Sequence, residues 1–132
     1  METKAYGALA GDKPLEPLNI AHAMGTHVVA FTTSNGKRED THALGADEVI
    51  ISRNADEMAQ HVNSFDFILN TAAASHDLDA YAALLKRDGT MTLVGVPEYA
   101  HLSPSVGALI FRRRSIAGSL IGGIAEIGRA HV

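Results

Sequence analysis

A short polar loop follows one of the apolar stretches of this 132-residue chain. It contains Thr32, Thr33 and Ser34, and Lys37 and Arg38 follow within four positions. Hydroxyl groups together with a cation suit the recognition of a phosphate monoester. A strand that contacts the adenosine ribose of NAD usually ends instead in Asp or Glu, which accepts from the 2′-hydroxyl. The loop is therefore typical of a site for the 2′-phosphate of NADP.

The spacing also allows a second interpretation of this loop. The sequence Ser-Asn-Gly at 34–36 is equally typical of a turn that caps the next helix. Other apolar stretches end in small and hydroxyl residues, with no nucleophile beside a base, in NTAAAS (70–75), VGVPEY (94–99) and GSLIGG (118–123). Such a surface suits a flat cofactor better than acid–base chemistry.

The elements that would position these loops alternate between strands and helices. β-branched and aromatic runs predict strands at His27–Thr33, Asp47–Ser52, Phe65–Thr71, Thr90–Val96 and Ser115–Gly123. Apolar spacings of three and four residues predict helices at Gly36–Asp47, Asn54–Val62, His76–Gly89 and Ser103–Arg114. Strands that are apolar on both faces indicate a parallel sheet covered by helices. We therefore predict an α/β fold, a Rossmann-like doubly wound parallel sheet that binds ligands at its carboxyl edge.

Residues at the helix ends refine this prediction. We expect Asn54 and Ser103 to cap the helices that they begin. We expect Gly45 to close its helix in a left-handed conformation and Gly89 to end the helix that begins at His76. The basic cluster 112–114 follows an apolar helical stretch, so we expect it to stabilise the negative end of a helix.

The composition argues against several classes of function. The chain is 46% hydrophobic and 20% charged, as in globular proteins, and its net charge of −4 argues against nucleic-acid binding. No apolar run reaches the ~20 residues of a membrane-spanning helix, and we expect no signal peptide. The absence of Cys is compatible with a reducing cytosol. We therefore expect a cytoplasmic protein without nucleic-acid or membrane partners.

Seven His residues could suggest a metal site, but they are scattered. None has a His partner four positions away with an intervening Glu, and there is no Cys. We expect each to be solvated or locally hydrogen-bonded: His22, His27, His42, His61, His76, His101 and His131.

Three segments resemble one protein family. They are AHAMGTHVVAFTTSNGKREDTHALGADEVI (21–50), FDFILNTAAASHDLDAYAALLKRDGTMTLVGVPE (65–98) and RRRSIAGSLIGGIAE (112–126). They are similar to the cofactor domain of zinc-dependent medium-chain alcohol dehydrogenases, in the cinnamyl-alcohol-dehydrogenase-like group of NADP-dependent aldehyde reductases. The resemblance implies hydride transfer between NADP(H) and an alcohol or aldehyde, with zinc polarising the oxygen.

The same resemblance implies which residues bind the cofactor. Thr33, Ser34 and Lys37 or Arg38 would face the 2′-phosphate. Residues near the cofactor ribose would be Thr71 and Ala72. The nicotinamide side would be lined by Val94, Gly95, Val96, Ser119, Leu120 and Ile121. The resemblance also implies a homodimer in which the strand Ser115–Ile121 pairs with its counterpart.

The chain departs from the family pattern between Ile20 and Ala21. There the family carries the rest of its catalytic domain, its zinc sites, its first Rossmann strand and its Gly-rich pyrophosphate loop. We interpret residues 1–20 as a remnant of the catalytic-domain N-terminus joined by an internal deletion to a partial NADP-binding domain, 21–125. Residues 126–132 look like a non-native tail, with the sequence of a translated sequencing adaptor.

These departures predict a fragment with no zinc ligands and no catalytic residues. Its binding of NADP(H) should be weak or lost, because the pyrophosphate loop is missing. The alternative is a vestigial nucleotide-binding or dimerisation module that does no chemistry.

A sheet without its first strand would expose two apolar edges, where each buried unpaired backbone group costs about 1–3 kcal/mol. The segment Thr3–Ala10 can form a strand, and Leu15–Met24 can form a crossover helix ended by Gly25. We therefore predict that Lys4–Leu9 pairs in parallel with His27–Phe31 and takes the vacant central place.

Overall fold

The computed structural model describes residues 4–8, by their backbone alone, and residues 23–119. Six strands form one sheet in the order β3-β2-β1-β4-β5-β6, and every pairing is parallel. The strands are β1 Lys4–Ala8, β2 His27–Thr32, β3 Glu48–Ile51, β4 Phe65–Asn70, β5 Leu85–Leu93 and β6 Ser115–Gly118. This strand order is that of a Rossmann sheet, so the predicted doubly wound α/β fold is confirmed.

Strand β1 lies in the centre of the sheet, as predicted. It pairs with β2 from Lys4 opposite His27 to Ala8 opposite Phe31. Its other edge pairs with β4, where Gly7 is opposite Leu69. The backbone groups of β2 and β4 therefore have a hydrogen-bonding neighbour on the side where the family's first strand would lie. Leu9 and most of the predicted crossover helix lie outside the described residues.

Four short α-helices connect the strands of the described part. They are α1 Arg38–Ala43, α2 Ala55–Ala59, α3 Leu78–Ala82 and α4 Val106–Ile110, and a 3₁₀ turn, Asn35–Lys37, precedes α1. Asn54 caps α2, since its side chain accepts hydrogen bonds from the amides of Asp56 and Glu57. After α1 the chain turns at Gly45, whose φ of 106° is in the left-handed region. These two helix-end predictions are confirmed.

The prediction of a helix over His76–Gly89 is wrong in its second half. Helix α3 ends at Ala82, and β5 begins at Leu85, five residues before the expected Thr90. Leu85 is fully buried and pairs with Phe65. Burial in the sheet therefore outweighs the helical periodicity of the local sequence.

Gly89 accordingly lies inside β5 and does not end a helix. The register of β4 and β5 shifts between Phe65 and Phe67, and Asp88 has a φ of 64°. A Cβ at position 89 would lie 2.9 Å from the carbonyl oxygen of Lys86. Glycine at this position therefore lets the strand bulge without a steric clash.

The cap of α4 is Ser105, not the predicted Ser103. The Ser105 hydroxyl accepts from the Ala108 amide at 3.4 Å. Its own amide donates to a carboxylate oxygen of Asp79, at the start of α3, at 2.7 Å. This contact between two helices sets the start of α4, and it has no signature in the local sequence.

The core lies on both faces of the sheet. Residues of β2 alternate between the two faces, with Val29 and Phe31 in one cluster and Val28 and Ala30 in the other. The larger cluster contains Val29, Phe31, Ile50, Phe65, Ile68, Leu78, Leu84, Leu85 and Met91. No helix in the described ranges has the length and apolar character needed to cross a membrane.

Within the basic cluster 112–114, Arg114 bonds to a carbonyl oxygen of α4 as predicted, whereas Arg113 pairs with a residue of β5. The Arg114 guanidinium donates to the carbonyl oxygen of Ala108, in α4, at 3.1 Å and to that of Leu85 at 2.9 Å. Burial lowers the pKa of Arg114, and the neighbouring charge of Arg112 lowers it further. Arg113 forms an ion pair with Asp88, which raises the pKa of Arg113 and lowers that of Asp88.

Candidate functional site

The loops that follow the strands meet at one edge of the sheet. Because all six strands are parallel, their carboxyl ends point the same way. The loop after β2 contains Thr33 and Ser34, and the loop after β4 contains Thr71 and Ala72. Residues 94–96 follow β5, and Ser119 follows β6. The described members of the predicted site therefore lie along this single edge, while Leu120 and Ile121 lie outside the described residues.

The loop after β2 is exposed from Thr33 to Lys37. The Ser34 hydroxyl accepts from the Gly36 amide at 3.3 Å and begins the 3₁₀ turn. The capping interpretation is thus confirmed for the 3₁₀ turn, whereas α1 itself begins after Lys37 without a side-chain cap. The Ser34 cap is compatible with phosphate binding, because the hydroxyl accepts in the cap and its own O–H can still donate.

The two cations predicted for the 2′-phosphate have different surroundings. Arg38 donates from Nη1 to the Val49 carbonyl oxygen at 3.0 Å and from Nη2 to Glu57 Oε1 at 2.9 Å. A further Nη2 contact reaches Asn35 Oδ1 at 3.4 Å. The exposed Lys37 ammonium makes no ion pair or hydrogen bond with any residue in the described ranges. Within this part of the chain, Lys37 is available to a ligand and Arg38 is held by the protein.

Glu57 is a residue of this loop region that the sequence analysis missed. Its Oε1 binds Arg38, and its Oε2 accepts from the Ile51 amide at 2.8 Å. The hydrogen bond from Ile51 is the main reason why the pKa of Glu57 is lowered, and Arg38 lowers it further. The spacing Asn54-x-x-Glu57 resembles a capping box, which could have revealed it. Here, however, the carboxylate reaches the end of β3 and not the cap amide.

Gly95 brings the loops after β4 and β5 into contact. A Cβ at position 95 would lie 2.4 Å from the Ala72 carbonyl oxygen and 2.8 Å from that of Thr71. The Val94 amide also donates to the Asn70 carbonyl oxygen at 3.0 Å. Residues predicted near the ribose and residues predicted near the nicotinamide are therefore neighbours.

Asn70 is a second residue that the sequence analysis missed. This buried side chain accepts from the Ala72 amide at 3.2 Å and donates to His76 Nε2 at 2.7 Å. The other ring nitrogen of His76 then donates to the Ala74 carbonyl oxygen at 2.8 Å. Asn70 and His76 together hold the loop after β4 in place. The signal for this role was a polar residue at the end of an apolar strand.

The residues predicted to line the nicotinamide are described only in part. The Ser119 amide donates to the Leu93 carbonyl oxygen at 3.0 Å, which places Ser119 next to the end of β5. Val96 points away from the packed part of the edge, since 87% of its surface is exposed. A cavity of about 240 Å³ lies outside the predicted cofactor residues and is lined by Ser75, His76, Asp77, Leu78, Asp79, Leu102, Ser103 and Pro104.

Four of the described His residues form hydrogen bonds with other residues of the described chain, namely His27, His42, His76 and His101. His27 Nε2 lies 2.8 Å from Glu48 Oε1, and His101 Nδ1 accepts from the His76 amide at 3.3 Å. Local hydrogen bonding, as predicted, is confirmed for His42 and His76, whereas His27 and His101 bond to residues 21 and 25 positions away. Over residues 4–8 and 23–119, no three His, Asp or Glu side chains gather into a group that could hold a metal ion. The side chains in these described ranges therefore do not fit a zinc site.

A family model described as zinc-binding dehydrogenase matches residues 18–131. The chain belongs to this family. Aldehyde reductase YahK of Escherichia coli (strain K12) is 69% identical over 109 residues, which are 83% of this chain and 31% of that protein. Probable cinnamyl alcohol dehydrogenase 2 of Picea abies is 40% identical over 111 residues, 83% of this chain and 30% of that protein. The chain thus spans about a third of the length of these curated relatives.

Solved structures described as cinnamyl alcohol dehydrogenase or CAD have a similar fold. The cinnamyl alcohol dehydrogenase SbCAD4 of Sorghum bicolor matches with a TM-score of 0.85 and 30% identity, over 94% of this chain and 35% of that one. The CAD of Helicobacter pylori complexed with NADP(H) matches with a TM-score of 0.78 and 32% identity, over 97% of this chain and 36% of that one. The resemblance seen in the sequence is therefore confirmed at the level of family and fold.

Proposed function

We propose that this chain is a cofactor-binding unit derived from an NADP(H)-dependent alcohol dehydrogenase or aldehyde reductase. One observation carries the proposal. The strand that would contact the adenosine ribose ends at Thr32 without an Asp or Glu, and the exposed residues Thr33, Ser34 and Lys37 follow it. A strand end of this kind favours a 2′-phosphate over a free 2′-hydroxyl.

The cofactor would extend along the carboxyl edge of the sheet. Its 2′-phosphate would contact Thr33, Ser34 and Lys37, and a ribose would lie near Thr71 and Ala72. The nicotinamide side would be formed by residues 94–96 and 119–121. Gly95 supports this arrangement, because its lack of a side chain keeps the two loops in contact.

The pyrophosphate contact is the weakest part of this arrangement. Gly7 lies near the carboxyl end of the central strand β1, and Gly11 follows four residues later. The usual dinucleotide fingerprint needs a differently spaced set of three Gly residues. We therefore propose weak binding of the whole dinucleotide, with much of the selectivity at the 2′-phosphate.

The parent reaction would be hydride transfer between NADP(H) and an alcohol or aldehyde, with zinc polarising the substrate oxygen. The sequence contains no Cys, and the described residues do not fit zinc. We propose that this chain has no turnover of its own. A cytoplasmic location stays a prediction.

Calorimetry on the purified chain tests the binding proposal. Titration with NADP and with NAD should show a weak preference for NADP, and equal binding of both would remove the 2′-phosphate assignment. The same preparation, supplied with NADPH and zinc, should not reduce cinnamaldehyde or benzaldehyde. Turnover that follows the purified chain would contradict the proposed lack of activity.

We further propose that the Ile20–Ala21 junction arose by internal deletion and that β1 replaces the family's first strand. The central position of β1 supports this origin. The flanking genomic DNA tests it, because a biological deletion should leave the missing catalytic-domain sequence absent there as well. The proposed adaptor-like tail, 126–132, lies outside the described residues and stays a prediction.

A second candidate function is assembly through the sheet edge. Among the described strands, β6 lies at the end of the sheet, and its residues Ser115, Ala117 and Gly118 are exposed. An edge strand of this kind presents backbone groups that a second strand can pair with. We therefore propose the homodimer through Ser115–Ile121 as the alternative role, with light scattering over a range of concentrations as its test.

A further inference from the structure

We propose that Glu57 binds the Arg38 guanidinium and so keeps it away from the cofactor 2′-phosphate. Lys37 is then the cation of this loop that can bind the phosphate. Glu57 is then a positioning residue that sets selectivity between phosphorylated and unphosphorylated cofactors. This inference rests on the proposed function above and deepens it. It concerns a residue 19 positions from Arg38 in sequence, at the start of another helix.

Arg38 is held from two sides. Nη1 donates to the Val49 carbonyl oxygen in β3, and Nη2 donates to the Glu57 carboxylate. The guanidinium is therefore directed towards β3 and α2. An ion pair with a carboxylate also cancels much of the charge that would otherwise act on a nearby anion. Lys37, one residue earlier, has no such counter-charge among the described residues.

Glu57 is itself held in place. Oε2 accepts from the Ile51 amide at 2.8 Å, while Oε1 also accepts from Asn54 Nδ2 at 3.4 Å. The lowered pKa of Glu57 agrees with a carboxylate that is charged at neutral pH. Its side chain is only 27% exposed and that of Arg38 is 37% exposed, so the pair is partly shielded from water. A cofactor phosphate would have to compete with this positioned carboxylate for the same guanidinium.

The Glu57→Gln variant tests the inference. Gln keeps an oxygen that can accept from the Ile51 amide but removes the charge that holds Arg38. The probes are 2′,5′-ADP, which carries the 2′-phosphate, and 5′-AMP, which does not. We expect Glu57→Gln to tighten the binding of 2′,5′-ADP by about threefold to tenfold and to leave 5′-AMP binding unchanged. The reason is that Arg38 exchanges its partly exposed ion pair with Glu57 for a charge-assisted contact with the 2′-phosphate.

Two further variants make the test specific. Glu39→Gln removes the same charge from an exposed residue of α1 that, within the described part of the chain, bonds neither to the Arg38 guanidinium nor to the Ile51 amide. It should leave the ratio of the two affinities unchanged. Adding Arg38→Ala to Glu57→Gln should abolish the gain, because the gain requires the released guanidinium. Thermal unfolding of each variant checks that the chain remains folded.

Each outcome bears on the inference. Tighter binding of 2′,5′-ADP by Glu57→Gln that is lost when Arg38→Ala is added supports the inference. If the unmodified chain at the same time binds 2′,5′-ADP and 5′-AMP equally, only the proposed NADP preference fails. An unmodified chain that prefers 2′,5′-ADP, with no gain in Glu57→Gln, overturns the inference and leaves the proposed function intact. A loss of preference in Glu57→Gln also overturns it, because Glu57 would then present Arg38 to the phosphate. No binding of 2′,5′-ADP by any variant overturns both.

Discussion

Gly95 lies against the backbone of Ala72 so closely that a Cβ at position 95 would stand 2.4 Å from the Ala72 carbonyl oxygen. Backbone atoms cannot move aside as the end of a flexible side chain can. The contact joins the loop after β4 to the loop after β5, and both loops belong to the proposed cofactor edge. Even the smallest side chain at position 95 must push these two loops apart.

The Gly95→Ala variant should therefore lose stability and cofactor binding together. We expect a loss of about 1–3 kcal/mol in the free energy of unfolding, measured by urea titration, because an added methyl group overpacks the contact. Gly118→Ala is the matched control, since a Cβ at position 118 has no atom within 4 Å. Equal stability of the two variants would contradict the close approach.

Single substitutions of the two cations should separate their roles. Lys37→Ala should abolish the preference for NADP over NAD, because the exposed ammonium is the loop's available cation. Arg38→Ala should keep the preference but reduce stability, since it leaves Glu57 and the Val49 carbonyl oxygen without their partner. Calorimetry measures the preference for NADP over NAD, and thermal unfolding measures the stability. Loss of preference in Arg38→Ala alone would reverse this assignment.

Stability should depend on pH through Glu57. Its pKa is lowered in the folded chain from an ordinary value of 4.5. The unfolded chain therefore takes up the proton first, and the stabilisation is present above about pH 4.5 and is lost as pH falls through the folded-state pKa. Urea titrations between pH 3 and pH 6, values chosen to span roughly the titration range of Glu, should show a smaller acid loss in Glu57→Gln than in the unmodified chain. Glu39→Gln keeps the Glu57 contacts and should lose as much unfolding free energy at acid pH as the unmodified chain.

Self-association should depend on the backbone amide donors of β6. The Ser119 amide bonds to β5, so alternation along the strand directs the Gly118 amide away from β5, towards the outer edge of the described sheet. Gly118→Pro removes that donor and should lower the dimer fraction in light scattering while the sheet stays intact by circular dichroism. Gly118→Ala keeps the donor and should behave like the unmodified chain. A chain that is monomeric at all concentrations would rule out assembly through this edge.

Local sequence determined the order of strands and helices, and the place of β1 followed from the first strand that the family resemblance implies is missing. Strands that are apolar on both faces require cover on both sides, and Val28 and Val29 do pack on opposite faces. A sheet that lacks its central strand has unpaired backbone groups, so a free strand-forming segment should fill the gap. Lys4–Ala8 does so, in the predicted parallel direction.

Tertiary contacts decided where α3 ends and which cation the loop offers. The periodicity of His76–Gly89 favours a helix, yet Leu85 gains more by pairing with Phe65 inside the core. Lys37 and Arg38 are adjacent cations, and no pattern near them distinguishes one from the other. Glu57, which distinguishes them, lies 19 residues away and contacts Arg38 only because β3 brings α2 back beside α1. Periodicity reports which face of an element is buried, whereas hydrogen bonds between distant side chains exist only once the chain has folded.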